Sequence, residues 1–106
     1  MPAEILPLRL KSGMTDLPEN LKGIDPVKTI FVLVKCELGK AYDVANQAVE
    51  KVEQVSEVYS ISGNYDLMMK CYLDEEQDIG HFVNEQIQTL SNIKDTFTMI
   101  TFKAFT

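Results

Sequence analysis

The chain has a single histidine, His81, and that scarcity removes several chemistries at once. With no second histidine and no clustered cysteines, a transition-metal site lacks its usual ligands. A Ser-His-Asp triad has nothing in the sequence to position it. The two cysteines, Cys36 and Cys71, stand too far apart for a C-x-x-C redox or zinc pair and read as small core residues. None of the five glycines belongs to a phosphate-binding loop. The acidic run 74–78 lacks the spaced ligands and turn glycine of a calcium loop. No catalytic residue, metal or cofactor is therefore expected. No apolar run approaches the roughly 20 residues of a membrane span. The opening "MPAEILPLRL" lacks the charged-then-apolar order of a secretory signal. Two lone thiols without an export signal point to the reducing cytoplasm. Bases are scarce as well: ten Lys and Arg against sixteen acids leave a net charge of −6, with no basic cluster to attract a phosphate backbone. Direct binding to nucleic acid is not expected.

What the chain does contain is enough for one globular domain, with 45% hydrophobic and 25% charged residues over 106 positions. Its four prolines, Pro2, Pro7, Pro18 and Pro26, all fall near the front. Residues 1–27 accordingly read as an irregular arm, with one short strand around Ile5–Leu10. Two roles stand open for it: a mobile tail, or an arm packed on a neighbouring subunit that shelters Ile5, Leu6, Leu8 and Leu10.

From residue 28 the pattern is regular. "KTIFVLVKC" (28–36) is β-branched and apolar on both faces, the mark of a strand buried on two sides. Ala41, Val44, Ala45, Ala48, Val49 and Val52 then recur at helical spacing. "SEVYSIS" (56–62) alternates as a strand, Gly63-Asn64 suits a two-residue hairpin loop, and "YDLMMKCYL" (65–73) returns. Asp74 and Gln77 resemble a capping box ahead of a helix whose stripe is Ile79, Phe82, Val83, Ile87 and Leu90. "IKDTFTMITFKAF" (93–105) closes the chain as a last strand. The order is βαββαβ. Right-handed crossovers interleave its halves into a ferredoxin-like α+β fold over 28–106, a four-stranded antiparallel sheet of order 4-1-3-2 with two helices on one face. Cys36 and Cys71 then lie at opposite ends of neighbouring strands, beyond disulfide reach.

The face without helices is not polar. The first strand carries Phe31 and Leu33 on one side and Ile30, Val32 and Val34 on the other. The third alternates Tyr65, Leu67, Met69 and Cys71 with Asp66, Met68, Lys70 and Tyr72, and the last opposes Ile100, Phe102 and Ala104 to Phe97, Met99 and Phe105. That much apolar surface exceeds what a soluble monomer exposes. A second copy, sheet against sheet in a dimeric α/β sandwich, is the expected cover, with the arm folding back as the alternative.

The segment "VYSISGNYDLMMKCYL" (58–73), the element order around it and the lack of catalytic residues together resemble the effector-binding domain of the leucine-responsive regulator/AsnC family. That family's pattern is Gly-x-x-Asp opening a strand, an acid-led helix and a threonine-rich last strand. Here these are Gly63-Asn64-Tyr65-Asp66, "DEEQDIGHFVNEQI" and "DTFTMITFKAF". The resemblance covers Val27 to Phe105. It implies small-molecule sensing, of an amino acid or a relative, at a subunit interface of dimers that assemble into larger rings. Carried over by motif, the ligand-binding positions are Gly63, Asn64, Tyr65 and Asp66, with Thr96 and Thr98 as weaker candidates. Family transcription factors also carry a helix-turn-helix domain, for which 27 residues are too few, so a stand-alone version is expected, acting alone or with a longer DNA-binding relative.

The chemistry is compatible. A carboxylate at Asp66 suits an ammonium, free amides at a glycine turn suit a carboxylate, and threonine hydroxyls donate or accept. Alternatives remain. Asp66 also suits a role in bonding turn amides, and Tyr65 suits either a pocket wall or core filler. Two other functions stay open: a purely structural assembly domain, or a small cofactor-independent enzyme of the antibiotic-monooxygenase-like type. The enzyme would need an enclosed pocket lined by a group such as Tyr42, Tyr59 or His81, although His81 beside Glu85 reads as a solvated side chain.

Overall fold

The computed structural model describes residues 27–105. The expected arm, 1–27, lies outside them apart from Val27, which opens the first strand. The elements are β1 (Val27–Cys36), α1 (Ala41–Lys51), β2 (Val55–Ser60), β3 (Leu67–Asp74), α2 (Ile79–Phe82) running directly into a π-helical segment (Val83–Ile87), and β4 (Ile93–Ile100). All strand pairs are antiparallel and the sheet order is β2-β3-β1-β4. This is the expected ferredoxin-like arrangement.

Alternation along the strands assigns the two faces. Ile30, Val32, Val34 and Cys36 of β1 and Leu67, Met69, Cys71 and Leu73 of β3 are buried, and form one cluster with Val44, Ala48 and Val52 at α1 and Phe82, Val83 and Ile87 of the second helix. Each full burial of such an aliphatic side chain stabilises the fold by about 1.5–3 kcal/mol. Both thiols are buried, and Cys71 pairs with Ile30, six residues along β1 from Cys36, so the two stay far apart.

α1 starts after a turn at Gly39, where φ is +77°. Asp43 in its first turn and Lys51 in its last complement the helix dipole. Val49 departs from the expected stripe: it is 65% exposed, because it follows Ala48 by about 100° around the helix and so leaves the face that touches the sheet. Gln47 clamps α1 to the loop before β4: its Nε2 donates to the Ser91 carbonyl at 3.2 Å while its Oε1 accepts from the Ser91 amide at 3.0 Å.

Three boundaries differ from expectation. The β2–β3 hairpin loop is longer than two residues: Ser60 faces Leu67, Ile61 N–H donates to Asp66 O at 2.9 Å, and residues 62–65 remain as the loop. The capping box forms, with Gln77 N–H donating to Asp74 Oδ1 at 3.0 Å and Asp74 N–H to Gln77 Oε1 at 3.2 Å. It closes a turn rather than the helix, whose cap is Asp78, accepting from His81 N–H at 2.8 Å. β4 stops at Ile100: the Thr101 hydroxyl donates to the Thr29 carbonyl at 2.6 Å alongside the Thr101 amide, and the ladder ends there.

Candidate functional site

The end of the sheet where β2 turns into β3 gathers most of the expected site residues. Gly63 and Asn64 are exposed, and Tyr65 and Asp66 are half-buried. Gly63 has φ +107°, yet a Cβ there would meet no atom within 4 Å. Glycine is needed at this position for its backbone angle, and the space over the turn is open.

Asp66 ties the turn to the neighbouring strand. Its amide donates to Val34 O at 2.9 Å, and its carboxylate Oδ2 accepts from Cys36 N–H at 2.8 Å. The side chain therefore bonds the last amide of β1 rather than the turn's own amides. Among the described residues nothing bonds Oδ1. Lys35, beside Cys36, reaches over the turn from β1, and its Nζ donates to Asn64 O at 3.1 Å. Tyr65 lies against Phe97 of β4, ring centroids 6.3 Å apart and planes tilted by 32°. Burial first and the Asp66 charge second push the Cys36 thiol pKa up, against a smaller opposing pull from Lys35. Burial alone pushes Cys71 up to about 12. Neither is poised as a nucleophile.

Thr96 and Thr98 stand on the other side of the sheet. Their partners on β1 are Val34 and Val32, both buried on the helix face, and directly paired residues share a face. Thr96 Oγ1 accepts from Gln88 Nε2 at 2.8 Å. The π-helical segment presents that amide: Gln88 N–H bonds Val83 O, five residues back, at 2.9 Å. The turn residues thus cluster with Lys35 and the Cys36 amide, while the threonines belong to a separate helix-side contact. Lys35 is absent from the residues expected on sequence grounds. The signal available was alternation, since Lys35 ends the row that begins with Phe31 and Leu33.

That open face of the sheet presents Phe31, Leu33 and Met68, all half-buried, next to Phe97 at 52% and Met99 at 37% exposure. The three side chains weighed for an enzyme lie on different elements. Tyr42 is exposed on α1. The Tyr59 hydroxyl on β2 donates to Glu57, and that bond makes Tyr59 hold its proton more tightly than usual. His81 Nε2 lies 3.1 Å from Glu85 Oε2 with both side chains largely in solvent. A shallow groove of about 240 Å³ outside α2, lined by Gln77, Asp78, His81, Phe82, Glu85 and Gln86, includes none of the expected ligand-binding residues. Among the described residues no three His, Cys, Asp or Glu side chains group closely enough to hold a metal, and no helix is long and apolar enough to cross a membrane.

Comparison with known proteins agrees with this architecture. The profile of the family described as Lrp/AsnC ligand binding domain matches residues 29–106. The HTH-type transcriptional regulator FL11 of Pyrococcus abyssi is 33% identical over 73 residues, 69% of this chain and 47% of the regulator. The chain spans about half the length of the curated relatives it matches. The protein TTHA0845 of Thermus thermophilus superposes with a TM-score of 0.67 at 29% identity, covering 74% of this chain and 98% of that one. The transcriptional regulator NMB0573 of Neisseria meningitidis, solved as a complex with L-Met, gives a TM-score of 0.67 over 98% of this chain and 62% of its own. At 14% identity the likeness is one of fold.

Proposed function

The chain belongs to the Lrp/AsnC ligand-binding-domain family, and from that premise we propose that it senses a zwitterionic small molecule, an α-amino acid or close analogue, at the Gly63–Asp66 turn. The observation that carries the reading is the state of Asp66: one carboxylate oxygen is fixed by the Cys36 amide, which orients the other, unbonded among the described residues, beside an open glycine turn. An orientated carboxylate suits an ammonium through charge-assisted hydrogen bonds. Gly63 and Asn64 present backbone amides to the ligand carboxylate, and Tyr65 with Phe97 forms an apolar wall for a side chain. The Neisseria regulator, bound to L-Met, is support of fold only; the ligand class rests on the charges at this turn.

The working unit in this reading is a homodimer, open sheet face against open sheet face, with dimers joining into a larger assembly. The support is the contiguous apolar row of Leu33, Met68 and Phe97 flanked by Phe31 and Met99. The domain acts as a regulatory part rather than an enzyme. Because this domain is acidic, its part is effector sensing rather than direct contact with DNA.

A thermal-shift screen against the twenty amino acids tests the proposal. A ligand present at about 100 times its dissociation constant adds about 2.7 kcal/mol of stability. At least one amino acid raises the melting temperature; a set of twenty null shifts contradicts the reading.

A further inference from the structure

The Gly63–Asp66 turn carries a negative side chain where an ammonium is to be held. A zwitterion also brings a carboxylate, and the turn residues themselves supply no positive charge. Lys35 does. It projects from β1 over the turn, and its Nζ donates to the Asn64 carbonyl at 3.1 Å. An ammonium has three donors, so this bond leaves two unused, and in the same turn a Cβ at Gly63 would meet no atom within 4 Å. The two neighbouring carboxylates each already hold a backbone amide through one oxygen. Asp66 Oδ2 is held by the Cys36 amide at 2.8 Å. Asp95, the residue paired with Lys35 on β4, accepts from the Thr96 amide through Oδ1 at 2.9 Å.

We infer that Lys35 is the specificity-determining residue for the ligand carboxylate, so that Lys35 and Asp66, adjacent across the β1–β3 boundary, form a matched pair of opposite charges for the two ends of an α-amino acid. This rests on the proposed effector role of the turn and extends it to a residue outside the Gly-x-x-Asp motif. The bond to Asn64 places the cation; the free donors read the ligand.

The test separates recognition from mere bracing of the loop. The probes are the twenty L-amino acids and, for each one that stabilises the wild type, its α-carboxamide, which keeps the ammonium and loses the negative charge. Dissociation constants are measured for wild type, Lys35→Met and Lys35→Arg. The wild type prefers the acid over the amide by about tenfold or more, as a charge-assisted bond implies. Lys35→Met brings the ratio close to one, chiefly by weakening the acid, and Lys35→Arg keeps most of the preference. If Lys35→Met weakens acid and amide alike with the ratio unchanged, Lys35 only braces the turn and the inference is overturned. If it changes neither, Lys35 plays no part in binding and the inference likewise falls. If no amino acid binds the wild type, the effector reading itself fails, and this inference with it.

Discussion

Replacing Asp66 by alanine removes the acceptor of the Cys36 amide, which belongs to a residue only 5% exposed. A buried donor left unpaired costs about 1–3 kcal/mol. The site is at the end of the sheet, where water reaches part of the way, so the lower part of that range applies, about 1–2 kcal/mol. For a domain of this size each kcal/mol lowers the melting temperature by about 4–8 °C, giving a fall of roughly 4–16 °C. Asp66→Asn keeps an acceptor of the same shape and changes only its charge, so the expected loss is less than about 1 kcal/mol. Ligand binding separates the two roles of the side chain differently. If the second carboxylate oxygen takes an ammonium, removing its charge forfeits about 1.5–3 kcal/mol, and both variants bind the stabilising amino acid about 10–150-fold more weakly. Thermal melts followed by calorimetric titration of both variants supply the two numbers. An Asp66→Asn protein that binds as well as the wild type would refute the reasoning, because the orientated charge would then do nothing.

Other consequences are equally measurable. Gly63→Ala meets no neighbour but must adopt φ +107°, so chemical denaturation should show a loss of about 1–3 kcal/mol with no change in the core. Phe97→Asp places a charge in the open apolar row, and light scattering after gel filtration should find smaller species than for the wild type, while the far-ultraviolet dichroism is preserved. Cys71 has an ordinary thiol pKa near 9.0 when unfolded and about 12 when folded. The folded state thus keeps a proton that the unfolded state loses. Its contribution is intact below about pH 9, declines by up to about 1.4 kcal/mol per pH unit above it, and is gone by about pH 12. A Cys71→Ala protein lacks this share of the alkaline slope.

Much of this architecture was legible because the core follows simple periods. β1 and β3 bury every second residue, from Ile30 to Cys36 and from Leu67 to Leu73, and the stripe of Phe82, Val83 and Ile87 survives the passage from α-helix to π-helix. What escaped depends on single hydrogen bonds that no period encodes. Asp66 sends its carboxylate across to β1, which lengthens the hairpin loop beyond what Gly63-Asn64 suggests. The Thr101 hydroxyl ends β4 five residues earlier than the threonine- and phenylalanine-rich tail implies. At the candidate site, the motif residues 63–66 gather in one turn, but motif and threonines do not share a face: direct pairing with Val34 and Val32 commits Thr96 and Thr98 to the helix side. Lys35, by contrast, joins the turn only through tertiary contact, so a reading of the loop's own residues passes over it.

Backbone amide chemical-shift mapping of the uniformly labelled protein, titrated with the amino acid that stabilises it most, tests most directly whether the turn is the binding site. Shifts are expected to concentrate at Gly63, Asn64, Tyr65 and Asp66 and at the Cys36 amide that Asp66 holds. Shifts centred instead on the groove around His81 and Glu85, or spread through the protein without a focus at the turn, would contradict it.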